Sequence, residues 1–99
     1  MVQTVIVAID YDATWSADPE LWEAFSQYAR RRGHIVALIT NRPDNPTNRS
    51  EIALAVSGHV DHMILAGPMP KREAAAQFGL RPNIWIDDNP VTVTEGLRL

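Results

Sequence analysis

The sequence contains no cysteine, only one lysine and no long apolar run, and each absence narrows what the chain can do. Without cysteine there is no disulfide, no thiolate metal site and no cysteine nucleophile. No segment approaches the roughly 18 apolar residues that a membrane-spanning helix requires. The N-terminus also lacks the basic and apolar pattern of a signal peptide. We therefore expect a soluble, cytoplasmic protein with no membrane partner.

Charge of either sign is also modest, since the formal net charge is only −3. The one basic cluster, Arg30–Arg32, falls where a helix is predicted to end, and cations there complement the helix dipole. We therefore interpret the cluster as structural and not as a nucleic-acid contact. The chain has 99 residues, of which 45% are hydrophobic and 21% charged. This composition predicts one globular domain over residues 1–99.

Four short apolar runs have the composition of strands that are buried on both faces. They are residues 5–9, 35–39, 63–66 and 83–86. Helical patterns separate them, which predicts right-handed crossovers and a parallel sheet covered by helices on both faces. The expected fold class is therefore α/β, with three layers and about four strands.

The helix boundaries are predicted from capping residues. Asp18-Pro19-Glu20 is a strong start signal, and Gly33 is suited to end that helix. A shorter second helix is expected to begin at a cap on Asn48 or Ser50 and to run to about Val56. A third is expected over residues 71–78, while residues 91–99 are ambiguous between a short strand and a helix.

Two acids follow the first apolar run, at Asp10 and Asp12. Carboxylates this close repel each other, so the arrangement is reasonable if a cation shares the site. The alternative is an ordinary polar turn, because aspartate favours turns. The carboxyl ends of parallel strands meet at one sheet edge, which is where open α/β sheets bind ligands. At this edge we expect four polar groups to converge: Asp10/Asp12, Thr40/Asn41/Arg42, the loop around Lys71, and Asp87/Asp88.

These motifs together resemble the haloacid dehalogenase-like (HAD) superfamily of phosphotransferases over roughly residues 4–90. The Asp-x-Asp-x-Thr motif corresponds to residues 10–14, and a strand that ends in threonine corresponds to Ile39-Thr40. The single lysine, Lys71, resembles the basic residue of the third motif. Paired acids after an apolar strand correspond to Asp87-Asp88. The resemblance implies a Rossmann-like sheet with strand order 3-2-1-4.

The resemblance also implies a role for each residue of the site. Asp10 would attack phosphorus and form an aspartyl-phosphate, and Asp12 would act as general acid and then as general base. Thr40, Asn41, Arg42 and Lys71 would bind the phosphorylated substrate, with Thr40 and Lys71 also serving catalysis. The metal ligands would be Asp10, the backbone carbonyl of Asp12, Asp88 and, directly or indirectly, Asp87. An all-oxygen site of this kind suits Mg²⁺.

The connection between Thr14 and Pro19 is too short for the flap or cap domain that many members insert there. We therefore expect an open site and no cap domain, with a large substrate, a polynucleotide end or a second subunit as partner. Ala13 stands where many members have glycine, a change that still permits a tight turn. Trp15 could stack on a base or cover the end of the sheet, and His59 and His62 are expected in a solvated loop.

Three functions compete at this point. The first is a Mg²⁺-dependent phosphatase, with nucleotides or polynucleotide ends as its leading substrates. The second is a non-catalytic phosphate- or metal-binding module that acts through a protein partner. The third, a phospho-acceptor receiver domain, is disfavoured because the order of acids and lysine along the chain differs. A homodimer is possible, although no clear interface stripe is visible in the sequence.

Overall fold

A four-stranded, all-parallel sheet forms the centre of the computed structural model, which describes residues 2–97. Its strands are β1 (Ile6–Ile9), β2 (Ile35–Thr40), β3 (His62–Leu65) and β4 (Ile84–Ile86). Their spatial order is β3-β2-β1-β4, so β1 lies inside the sheet and β4 is an edge strand. Both the parallel sheet and its order of strands confirm the sequence-based expectation.

Four α-helices connect and cover the strands. They are α1 (Pro19–Arg31), α2 (Pro46–Val56), α3 (Lys71–Gln77) and α4 (Val91–Glu95), with a 3-10 turn at Trp15–Ala17 before α1. Side chains of α1 and α2 pack in one core and those of α3 in a second core. The molecule is therefore a three-layer α/β/α sandwich, as predicted.

The two cores use alternate residues of the same strands. Val7 and Ile9 belong to the first core, whereas Ala8 between them belongs to the second. This alternation follows from the period of two along a strand and explains why β1 is apolar throughout. Each large aliphatic side chain buried in this way stabilises the fold by roughly 1.5–3 kcal/mol.

The helix starts follow one repeated signal. Asp18 accepts a hydrogen bond from the Leu21 amide at 3.2 Å, and Pro19 follows it as the first helical residue. Asn45 accepts from the Asn48 amide at 2.8 Å, and Pro46 begins α2. The predicted cap of α2 at Asn48 or Ser50 is therefore wrong. An Asx-Pro pair begins this helix too, but it lies within a run of loop-forming residues that obscures it.

The C-terminal segment forms α4, so the strand alternative for residues 91–99 is wrong, while positions 98–99 lie outside the described residues. Gly96 follows α4 with a φ of 72°, and a Cβ there would lie 2.4 Å from the Pro68 carbonyl oxygen. The Leu97 amide donates to that same oxygen at 3.1 Å. The tail is thus fastened to the loop that precedes Lys71.

The structure also tests the expectations for the two histidines after α2 and for membrane-spanning segments. His59 is half-buried, with Nε2 3.8 Å from Glu23 Oε1, whereas His62 is exposed and begins β3. The loop interpretation is therefore wrong for His62, and neither histidine joins a cluster of potential metal ligands within residues 2–97. In the same range, no helix is both long and apolar enough to cross a bilayer.

Candidate active site

A cleft of about 330 Å³ opens at the carboxyl edge of the sheet. Its lining includes every side chain that the sequence assigned to the site: Asp10, Asp12, Thr40, Asn41, Arg42, Lys71, Asp87 and Asp88. These residues come from four separate segments of the chain. The parallel topology therefore brings them together as expected.

Lys71 is the centre of this group. Its Nζ donates to Asp10 Oδ1 at 3.0 Å and to Asp87 Oδ2 at 2.5 Å. The Lys71 and Asp87 side chains are only 3% and 2% exposed. A buried ammonium needs such partners, because desolvation of an unpaired charge is costly. Lys71 is the first residue of α3, where a cation opposes the helix dipole, and these two carboxylates compensate for that placement.

The carboxyl groups of Asp10 and Asp88 interact directly. Burial raises the pKa of Asp10 to about 6, the hydrogen bond from Lys71 opposes that rise, and the hydrogen bond shared with Asp88 adds to it. The pKa of Asp88 is lowered, first by that hydrogen bond and also by the Thr14 hydroxyl, which donates to Asp88 Oδ1 at 3.1 Å. When this pair holds a single proton, that proton is therefore favoured on Asp10 over Asp88.

The same carboxylates could hold a metal ion. One oxygen from each of Asp10, Asp87 and Asp88 lies within 4.8 Å of the others. Hard carboxylate oxygens at this spacing, in an open cleft with access to water, fit the preferences of Mg²⁺. The predicted contribution of Asp12 is its backbone carbonyl, and this stays a prediction.

The Asp12 side chain is held by Arg42. The guanidinium donates from Nη2 to Asp12 Oδ1 at 2.8 Å and from Nε to Oδ2 at 3.0 Å, a two-bond fork. Nη1 donates to Asn48 at 3.2 Å and also to Glu51, and the guanidinium carbon lies 5.3 Å from the Tyr11 ring centroid. These acidic partners raise the pKa of Arg42. Arg42 thus connects Asp12 to α2, and most of its donors already have acceptors.

Thr40 and Asn41 follow β2 and have different surroundings. Thr40 is buried, and its hydroxyl accepts from the Arg42 amide at 3.2 Å, which leaves its own proton free to donate into the cleft. Asn41 donates through Nδ2 to the carbonyls of Gly67 at 2.8 Å and Met69 at 3.0 Å. Both protons of the Asn41 amide are therefore committed to the loop that leads to Lys71, while its Oδ1 has no hydrogen-bond partner within residues 2–97.

Trp15 and Ala13 complete the turn after β1. Trp15 is fully buried in the first core, so the stacking alternative is wrong and the structural one is right. Its backbone amide also donates to the Asp10 carbonyl at 3.1 Å, which closes the turn. Ala13 has a φ of 60°, a left-handed conformation that costs an L-residue roughly 1–2 kcal/mol. The alanine is therefore accommodated, but with strain that glycine would not have.

Sequence reasoning missed the groups that position the site residues. Asn48 and Glu51 hold Arg42, and they lie three residues apart on the first turns of α2. Residues at this spacing share one helix face. The signal that could have located them is the Asn45-Pro46 helix start, which places Asn48 and Glu51 on a helix close behind Arg42 in the sequence.

Comparisons with protein-family models, with curated proteins and with solved structures gave no significant match. Any function proposed for this chain therefore has to follow from the residues and the geometry of the site itself.

Proposed function

We propose that the protein is a Mg²⁺-dependent phosphomonoester hydrolase of the HAD-like type. The observation that supports this best is the buried Lys71 ammonium bonded to Asp10 and Asp87, beside Asp88. This arrangement combines a nucleophilic carboxylate, a cation for the phosphoryl group and a set of oxygen ligands at one sheet edge. It therefore has the parts that phosphoryl transfer requires, which are chiefly positioning and charge compensation.

In the first step, an Asp10 carboxylate oxygen attacks phosphorus and the bond from phosphorus to the ester oxygen breaks. The leaving alkoxide takes a proton from Asp12, and Asp10 becomes an aspartyl-phosphate. In the second step, Asp12 takes a proton from a water molecule that attacks phosphorus. Inorganic phosphate leaves and the Asp10 carboxylate is restored.

The remaining side chains stabilise the charge of the transferring group. The Lys71 ammonium has a third proton beyond those given to Asp10 and Asp87, and the Thr40 side chain lines the cleft and keeps its hydroxyl proton to donate. Both would donate to phosphoryl oxygens. A bound Mg²⁺ on Asp10, Asp88 and Asp87 would offset the repulsion between the carboxylates and the incoming phosphate.

Arg42 must change partners for this chemistry. Its fork holds both Asp12 oxygens, so an Asp12 that exchanges protons has to give up at least one of those bonds. A substrate phosphate offers the guanidinium a planar arrangement of acceptors equivalent to a carboxylate. We propose that phosphate binding draws Arg42 from Asp12, and that the released carboxylate takes up a proton from solvent before it protonates the leaving alkoxide.

The proposed substrate is a phosphomonoester at the end of a larger molecule, with nucleotides or polynucleotide ends first. This choice depends on Arg42 and on the open cleft, which no flap or cap within residues 2–97 covers. The burial of Trp15 removes the base-stacking argument. A cytoplasmic location stays a prediction from sequence.

A non-catalytic phosphate- or metal-binding module is the second candidate, and the Arg42–Asp12 fork favours it. If the fork does not open, Asp12 has no free oxygen for proton transfer. The protein would then bind phosphate or Mg²⁺ without turnover and would act through a partner.

The test is phosphate release from a panel of phosphomonoesters with and without Mg²⁺. The panel contains p-nitrophenyl phosphate, nucleoside monophosphates, sugar phosphates and oligonucleotides with a 3′- or 5′-phosphate. Wild type should turn over in Mg²⁺, Asp10→Asn should not, and Asp44→Asn, which removes an exposed acid paired with Arg49, should be unaffected. Mg²⁺ binding without turnover on every substrate would instead support the binding module.

A further inference from the structure

One flank of α1 carries three exposed apolar side chains. Leu21, Phe25 and Tyr28 are 52%, 37% and 59% exposed. Steps of four and three residues place them in one line along the helix. We call this line, with its end residues Asp18 and Arg32, the α1 stripe. Large apolar groups in a continuous row on a surface indicate an interaction site.

The opposite flank of α1 already has partners in the fold. Glu23 lies 3.8 Å from His59, and Arg30 bonds to Asp61 and to the Gly58 carbonyl. These contacts all come from the segment between α2 and β3. The α1 stripe therefore faces the other way, towards the side of the sheet where β4 lies.

The sheet beside the α1 stripe is also uncovered. Ile86 on β4 packs against the first core, on the same side as α1. Ile84, two residues earlier, points to the same face and is 46% exposed. β4 is an edge strand, and α4 packs against α3 in the other layer. The α1 stripe and Ile84 thus lie on the same side of the sheet, and both are exposed within the described residues 2–97.

Charges at the two ends of the stripe make it self-complementary. In order, the stripe contains Asp18, Leu21, Phe25, Tyr28 and Arg32, so its acidic end and its basic end lie on either side of Phe25. Two antiparallel copies related by a two-fold axis near Phe25 place Asp18 of one against Arg32 of the other. A two-fold interface requires this kind of match of a surface with itself.

A second pair of charges flanks the stripe with the same symmetry. Glu20 and Arg31 are exposed on the solvent side of the stripe, and they lie five residues before and six residues after Phe25. In the antiparallel arrangement each Glu20 lies near the other copy's Arg31, as at the flanking positions of a coiled coil. The Arg31 guanidinium carbon is 5.6 Å from the Tyr28 ring centroid, so it already lies along the stripe.

We propose that the protein forms a two-fold homodimer through antiparallel packing of the α1 stripe, which also covers Ile84. The partner is a second copy of this chain, because one antiparallel arrangement of two copies pairs Asp18 with Arg32 and also Glu20 with Arg31.

Sedimentation velocity over a wide concentration range tests the proposal with a matched pair of variants. Wild type should dimerise, and Phe25→Asp should raise the dimer dissociation constant about tenfold or more. The chain has only one other phenylalanine, Phe78, which is 64% exposed after α3. Phe78→Asp should leave the constant unchanged. Circular dichroism confirms that both variants fold.

Charge exchange gives a second test that does not depend on an apolar surface. Glu20→Arg alone and Arg31→Glu alone should each weaken the dimer, because each places like charges together. The double variant restores opposite charges in every pair and should recover most of the wild-type affinity. A monomeric wild type, a dimer unaffected by Phe25→Asp, or a double variant weaker than both single variants would overturn the proposal.

Discussion

The Lys71 ammonium lies between two carboxylates from different strand ends, 3.0 Å from Asp10 and 2.5 Å from Asp87. Neither partner is close to it along the chain, since the positions are 61 and 16 residues away. One buried cation therefore joins the ends of β1 and β4 to the start of α3. This makes Lys71 a structural as well as a chemical centre of the site.

Lys71→Met should destabilise the fold, because it leaves buried carboxylates without their cation. Removal of one partner from a buried ion pair typically costs about 3–5 kcal/mol. Urea unfolding should show a loss of this size without Mg²⁺ and a smaller loss with Mg²⁺. Arg72→Met, at the exposed neighbouring position, should stay within about 0.5 kcal/mol of wild type. Equal losses in the two variants would contradict this structural role.

Asp10→Asn should stabilise the metal-free protein at neutral pH while it abolishes turnover. The folded-state pKa of Asp10 is about 6, against an ordinary value of 3.8. A raised pKa means that the protonated carboxyl stabilises the fold. This stabilisation is fully present at pH values below the ordinary pKa, and it is lost as pH rises through about 6. Asparagine stays neutral and avoids that loss, which is of the order of 1 kcal/mol after allowance for solvent in the cleft. Lys71 does not become unpaired in this variant, because Asp87 still accepts from it.

The pH dependence provides the control for this prediction. Thermal unfolding in a chelating buffer should show a higher Tm for Asp10→Asn at pH 8 and no difference near pH 3.8, the ordinary value for aspartate. Added Mg²⁺ should reverse the order at pH 8, since only wild type keeps the full set of carboxylates. A variant less stable than wild type at every pH would show that ionised Asp10 is favoured in the fold.

Asn41→Ala should lower kcat more than it changes KM. The side chain holds the Gly67 and Met69 carbonyls and thereby the approach to Lys71. Without these bonds, a displacement of Lys71 by about 1 Å would lower kcat about a hundredfold. The free energy of unfolding should also fall by about 1–3 kcal/mol. Steady-state kinetics distinguishes this from the substrate-binding role suggested by sequence. A rise in KM at unchanged kcat would support direct substrate contact.

Trp15→Ala should cost about 3–5 kcal/mol of stability, because it removes a large aromatic side chain from a packed core. Trp15→Phe keeps most of that packing and should cost less. The ratio of kcat/KM for a nucleoside monophosphate to that for a sugar phosphate should not change in Trp15→Phe. A selective loss with the nucleotide would mean that the indole reaches the substrate.

Much of the fold was predictable because strands that are buried on both faces are short apolar runs in the sequence. The apolar runs that became β1 and β2 are uninterrupted, and Asp18-Pro19 combines a cap with a first-turn proline. The start of α2 carries a similar signal at Asn45-Pro46 but lies among loop-forming residues. α4 is five residues long and has no side-chain cap bond, so local sequence could not separate it from a strand.

The members of the site were predictable, whereas their partners were not. Parallel topology alone requires Asp10, Thr40, Lys71 and Asp87 to meet at one edge. The Arg42–Asp12 fork joins positions 30 residues apart and depends on where α2 places Glu51 and Asn48. The burial of Trp15 likewise depends on how the 3-10 turn covers the first core. Such contacts are set by tertiary packing and leave no local signal.

The position of β1 between β2 and β4 has a consequence for how the chain folds. Of the four strands, β1 is synthesised first and its neighbour β4 is synthesised last. The contact between them is correspondingly distant along the chain, since the Ile6 amide bonds to Asn83, 77 residues away. β1 and β2 can pair early, whereas the second edge of β1 stays open until β4 has left the ribosome. Closing so long a loop is slow. The last folding step should therefore complete the sheet and the candidate site together, so that no partly folded chain has the whole cleft.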